Sequence, residues 1–135
     1  MRYTSAVNYQ GGLRTEAIHL KSNEIVRTDA PIDNNGKGAL FSPTDLMATS
    51  LASCMLTVMG ISAEACGIAF QHVSAKVEKI MASGPRRISE LIVLIEITHD
   101  WSDKEKTHMQ KIALNCPVAK SLHSSIVQNV EFRYL

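Results

Sequence analysis

The stretch from Ser42 to Gly67, SPTDLMATSLASCMLTVMGISAEACG, limits the possible folds more than any other part of the chain. From Leu46 to Ala63 it carries no formal charge. Leu46, Met47, Leu51, Met55, Leu56, Val58, Met59 and Ile61 recur among Ala, Ser and Thr, without the polar face that a surface helix needs. Its ends are well marked. Ser42 suits an N-cap, Pro43 the first helical position, and Asp45 completes an S-x-x-D capping box. Gly67 suits the residue just past the helix end. A helix apolar all round belongs in a core or a membrane. Thr49, Ser50, Ser53, Thr57 and Ser62 dilute the hydrophobicity of a span, so a long buried core helix is expected, with small residues that let other backbones approach.

A chain of 135 residues predicts a single domain, 1–135. Hydrophobic residues at 45% against 20% charged describe a soluble globular protein, and a net charge of +1 gives no electrostatic basis for nucleic acid or an acidic surface. No membrane partner is expected either. MRYTSAVNYQ has no apolar segment of the signal-peptide kind, which predicts a cytoplasmic protein. Three cysteines, an odd number with no C-x-x-C pair, argue against a disulfide framework and against zinc. His19, His72, His99, His108 and His123 show no ligand spacing. Neither a metal nor a cofactor is expected, which leaves reactive thiol chemistry or plain burial.

Around the helix, the pattern alternates between strand and turn. RYTSAVNYQ, LRTEAIHLK after Gly11-Gly12, and EIVRTDAP before Pro31 predict three strands, with IDNNGKGA as loop. After Gly67, Val73, Ala75, Val77 and Ile80 alternate, MASGPRR turns, and ISELIVLIEITHD forms a second strand that predicts antiparallel pairing. S-D-K-E after Trp101 is another capping box and opens a charged helix. Asn115-Cys116-Pro117 breaks that helix, VAKSLHSSI predicts a short third one, and VEFRYL closes as a strand. The class is α+β, with antiparallel sheets. An apolar helix in so small a chain needs more cover than one sheet provides, which predicts a homodimer through that helix.

Cys54 lies at the middle of the helix, where a thiol is either a small core hydrophobe or a nucleophile. Cys116 lies just before Pro117 at a helix start, a position expected to lower a thiol pKa, although a cap or hinge cysteine fits there as well. Cys66 is about 18 Å along the helix from Cys54, too far for a bond within one chain. Arg14 is the best cation by position to stabilise a thiolate, with Arg2, Arg27, Lys37, Arg86 and Arg87 as alternatives. Asp45 is nine residues before Cys54 and on the opposite helix face, which suits a capping role. His123, seven residues after Cys116, falls near the same face of a helix and is expected at the surface.

SPTDLMATSLASC followed by the distant NCPVAKSL resembles the OsmC/Ohr family, the osmotically inducible protein C and organic hydroperoxide resistance proteins. The resemblance covers essentially the whole chain. It implies a β-β-β-α-β-β-α-(α)-β fold and an intertwined homodimer with the long helices at its centre. It also implies a thiol peroxidase in the oxidative stress response. Cys54 would be the peroxidatic and Cys116 the resolving residue, joined in an intramolecular disulfide after reaction. Small organic hydroperoxides would be the substrates and an external thiol the reductant. Family members pair an early arginine, matched here by Arg14, with a glutamate near the helix start. That position is Thr44 here, and the nearest acid, Asp45, is one residue late. This departure leaves a second expectation, a small-ligand-binding or redox-sensing relative without efficient peroxidase activity, and a third, a purely structural dimer module.

Overall fold

The computed structural model describes residues 2–135. The elements follow the expected order: β1 Ser5–Gly11, β2 Arg14–His19, β3 Ile25–Asp29, α1 Pro43–Cys66, β4 Ser74–Ala82, β5 Arg87–Ile97, α2 Asp103–Leu114, α3 Pro117–Ser121 and β6 Val127–Tyr134. The chain forms two compact units, one ending at Leu46 and one spanning Met47–Leu135.

In the first unit β1, β2 and β3 form an antiparallel sheet in that order. The first turn places Gly11, Gly12 and Leu13 at φ of 83°, 63° and 64°, a left-handed path that two glycines allow without Cβ crowding. The register sets Arg14 directly opposite Asp29. After β3 the chain folds back on itself: Asp29 N–H donates to Phe41 O (3.0 Å), Ala30 N–H to Leu13 O (3.1 Å) and Gly38 N–H to Ala30 O (3.1 Å). Gly36 packs directly on this strand end, and a Cβ there would fall 1.7 Å from the Ala30 carbonyl oxygen. The loop delivers Ser42, which caps α1 as predicted. Its Oγ accepts from Asp45 N–H (3.0 Å), and its own N–H donates to Asp45 Oδ2 (2.9 Å).

The second unit packs α1 and α2 with a sheet ordered β4-β5-β6. β5 lies at its centre and turns Leu91, Val93, Ile95 and Ile97 inward at period two. These meet Leu51, Met55 and Met59 of α1, Met109 and Ala113 of α2, and Trp101. Full burial of each large side chain contributes about 1.5–3 kcal/mol. The β4–β5 hairpin is antiparallel as expected, but β5 and β6 pair in parallel, from Glu90↔Val127 to Ile97↔Tyr134. The uniformly antiparallel expectation is corrected on this point. Two helices separate these strands, and such a crossover returns the chain in the same direction.

Burial of α1 also differs from expectation. Ala48, Leu51, Ala52, Met55, Met59 and Ala63 are buried along one face, whereas Met47, Ser50, Ser53, Thr57 and Ile61 are exposed. The single chain therefore covers one face of the apolar helix. Gly67 ends it as expected, at φ 66°, with Ile68 N–H returning to Ala63 O. The capping box of α2 is present at Ser102 and Glu105.

Candidate functional site

Two of the three cysteines meet in the second unit. Cys54 lies on α1, half-buried against the core between the turns that carry Ser50 and Val58. Cys116 is the N-cap of α3 and is 1% exposed. Its backbone is extended, at φ −65° and ψ 155°, because a residue before proline is pushed out of the helical region. That conformation ends α2 at Asn115 and turns the thiol inward. There its sulfur accepts Ala119 N–H at 3.4 Å, and the Cys54 side chain lies close enough to influence its titration. All three cysteines are free thiols.

Burial pushes the Cys116 thiol above its ordinary range. The neighbouring Cys54 side chain adds to the rise, while the Ala119 and Val118 N–H groups pull it back. The lowered pKa expected from the helix start is therefore corrected. α3 has only five residues, and two N–H groups do not offset removal from water. The same short helix corrects the placement of His123. It lies beyond α3 in an exposed turn, where Nδ1 accepts Ser125 N–H at 3.0 Å.

A cavity of about 440 Å³ is lined by Val58, His108, Lys111, Ile112 and Asn115. Val58 is one helical turn past Cys54, and Asn115 immediately precedes Cys116. Val58 and Ile112 give it apolar surface and His108, Lys111 and Asn115 give it polar groups, a mixed lining suited to a small organic molecule. His108 also shares a 2.8 Å hydrogen bond with Ser62. Cys66 is apart from the thiol pair, exposed at the end of α1 beside a second cavity lined by Ile68, Lys104, Glu105 and His108. Among the described residues, no three His, Cys, Asp or Glu side chains converge as a metal site.

Arg14 belongs to the first unit, where its Nη2 lies 3.5 Å from Asp29 Oδ2. Asp45 is bound to the Ser42 N–H, and Thr44 Oγ1 is 3.2 Å from Ser42 Oγ. Both serve the helix start. Sequence reasoning missed Asp29, although an acid at a strand end opposite an arginine was visible once the register of β2 and β3 was drawn.

Fold and site together define an α+β protein that carries a pair of thiols, one on a core helix and one at a proline-interrupted helix start. The chain belongs to the OsmC-like protein family, whose model matches residues 36–131. A candidate osmotic stress induced and detoxification response protein from Psychrobacter arcticus 273-4 is 52% identical, covering 98% of this chain and 97% of its own, with a TM-score of 0.94. The organic hydroperoxide resistance protein OsmC of Legionella pneumophila is 18% identical over 98% of both chains, with a TM-score of 0.78. An OsmC-like protein from Mycoplasma pneumoniae is 20% identical, covering 100% of this chain and 98% of its own, with a TM-score of 0.83. No curated protein is similar enough in sequence to count as a match.

Proposed function

We propose that this protein is a thiol-dependent peroxidase that reduces organic hydroperoxides to alcohols as part of a stress and redox response. The observation that carries the proposal is the closeness of Cys54 and Cys116, the first half-buried against the core of the second unit and the second fully buried in it. Cys54 thiolate attacks the distal oxygen of ROOH. The O–O bond breaks, the alkoxide takes a proton and leaves as ROH, and Cys54 becomes a sulfenic acid. Cys116 sulfur then attacks that sulfenic sulfur, water leaves, and the two electrons given to the peroxide are accounted for by a Cys54–Cys116 disulfide. An external thiol in the cytoplasm restores the pair.

The buried Cys116 keeps its proton to a higher pH than an ordinary thiol. It therefore stays a thiol beside Cys54 before reaction and supplies the resolving sulfur after it. Arg14 is the cation assigned to the Cys54 thiolate. Homodimerisation is part of the same proposal: Val7, Tyr9, Ile25, Met47 and Ile61 are exposed in the single chain and would gain cover from a second copy. A chain sedimenting as a monomer at micromolar concentration would remove that part. Thr44 at the family's glutamate position, with Asp45 held at the cap, favours a second reading as a binding or sensing relative.

Thiol titration separates the two readings. Reduced protein is treated with cumene hydroperoxide, tert-butyl hydroperoxide or hydrogen peroxide, and free thiols are counted. Loss of Cys54 and Cys116, abolished in Cys54→Ser and with Cys66 retained, is expected for the organic peroxides. Retention of every thiol with all three peroxides would overturn the peroxidase and leave the binding relative.

A further inference from the structure

We propose that the groove between α1 and α2 binds a small amphipathic carboxylate, an anionic head on a short hydrocarbon tail, with Lys111 as the cation that recognises it. Val58, Ser62 and Cys66 recur every fourth residue on α1, and Lys104, His108 and Lys111 recur at spacings of four and three on α2, so each set forms a stripe on one helix face. The stripes meet level by level in antiparallel order. Val58 shares a cavity of about 440 Å³ with Lys111, Ile112 and Asn115, Ser62 is bonded to His108 at 2.8 Å, and Cys66 shares a cavity of about 360 Å³ with Lys104 and Glu105. His108 lines both cavities and stands between them. Among the described residues, neither Cys54 nor Cys116 lines either cavity, so the site stands apart from the thiol chemistry.

The two ends of the groove differ in charge. In the smaller cavity Lys104 shares the wall with Glu105, whose carboxylate would repel an anion. The larger cavity holds Lys111 and no acid, and Lys111 forms no ion pair among the described residues. The carbonyls at the end of α2 are covered there: Asn115 Nδ2 donates to Lys111 O at 2.8 Å and Asn115 N–H to Ile112 O at 3.3 Å. An anion therefore meets the ammonium rather than bare helix-end oxygens. Val58 and Ile112, both half-buried, give the tail its apolar wall. A volume near the low end of the range for ligand sites suits a short tail.

The test is titration of the reduced, isotope-labelled protein with sodium hexanoate at constant ionic strength, followed through its amide resonances. Saturable shifts are expected at Val58, Lys111, Ile112 and Asn115, while the β5 amides stay in place. Hexanamide, which keeps the tail and loses the charge, is expected to bind about threefold to fivefold more weakly. Butyrate, two methylenes shorter, is expected to bind about fivefold more weakly than hexanoate. Lys111 is exposed, so Lys111→Gln leaves the fold intact. It is expected to weaken hexanoate as much as loss of the carboxylate charge does and to leave hexanamide unaffected, the signature of a direct pair. Lys104→Gln, which alters the other cavity, is expected to change neither. Absence of saturation, or shifts confined to residues outside the two helices, would overturn the site. Equal binding of hexanoate and hexanamide would overturn the carboxylate. A loss in Lys104→Gln as large as in Lys111→Gln would overturn the choice of cavity.

Discussion

The two units bury opposite kinds of chemistry. Among the described residues, every buried apolar side chain lies in Met47–Leu135, from Ala48 to Cys116. The first unit buries Thr28, Asp29 and Ser42, all polar, and exposes Tyr3, Val7, Tyr9, Ile25 and Val26. The second unit is thus held by its own hydrophobic core. The first is held by directed bonds, with Thr15 and Thr28 hydroxyls 2.5 Å apart, Asp29 tied to Ala39 and Ser42 tied to Asp45. A three-stranded sheet with so little apolar burial is marginal in water. The difference separates the side chains as well: Cys116 is buried within the hydrophobic core, whereas Arg14 and Asp29 meet as an ion pair.

The largest effect is expected from Leu51→Ala. Leu51 is fully buried in the core of the second unit, and such truncations cost about 2–5 kcal/mol. Urea denaturation should show a lower midpoint with an unchanged slope. A cost within experimental error would mean that this core is not what holds the unit. A smaller and more local effect is expected from Gly36→Ala, whose Cβ meets the Ala30 carbonyl at 1.7 Å. Forcing a methyl group into occupied space costs about 1–3 kcal/mol. Amide exchange at Asp29, Ala30 and Gly38 should accelerate by roughly 5- to 30-fold or more, while the β5 amides from Leu91 to Ile97 keep their protection. Equal acceleration in β5 would show that the two units open together and that the contrast in burial has no energetic counterpart.

Local signals in the sequence were sufficient for the element order. Ser42 with Asp45, Ser102 with Glu105, Gly67 and Pro117 mark helix ends through interactions that span at most a few residues, and all appear where expected. What could not be read locally depended on distant neighbours. The parallel pairing of β6 depends on how α2 and α3 cross over the sheet. The exposed side of α1 depends on how much cover one chain can supply. The site was legible in part. Cys54 and Cys116, singled out in the sequence, lie near one another in the second unit, but the sign of the Cys116 shift was wrong, because the depth of burial and the proximity of Cys54 outweigh a five-residue helix start. Asp29 lay within the predicted third strand without being singled out, and only the β2–β3 register shows what it faces.

The smallest expected effect is confined to alkaline pH and tests whether the thiol pair belongs energetically to the core. Cys116 has its pKa raised on folding, first by burial and then by Cys54, so the native state holds the thiol proton more tightly than the unfolded chain does. Stability from this group is therefore complete below the unfolded thiol pKa. It is lost as pH rises through the folded pKa, above the ordinary thiol range. Under reducing conditions the urea midpoint should fall with rising pH in that window. The fall should be reduced in Cys54→Ala, which removes the neighbour but leaves most of the burial, and reduced further in Cys116→Ala. A decline of the same size in Cys116→Ala would assign the alkaline loss to other groups, and the buried thiol would then be a passenger in the core rather than part of its energetics.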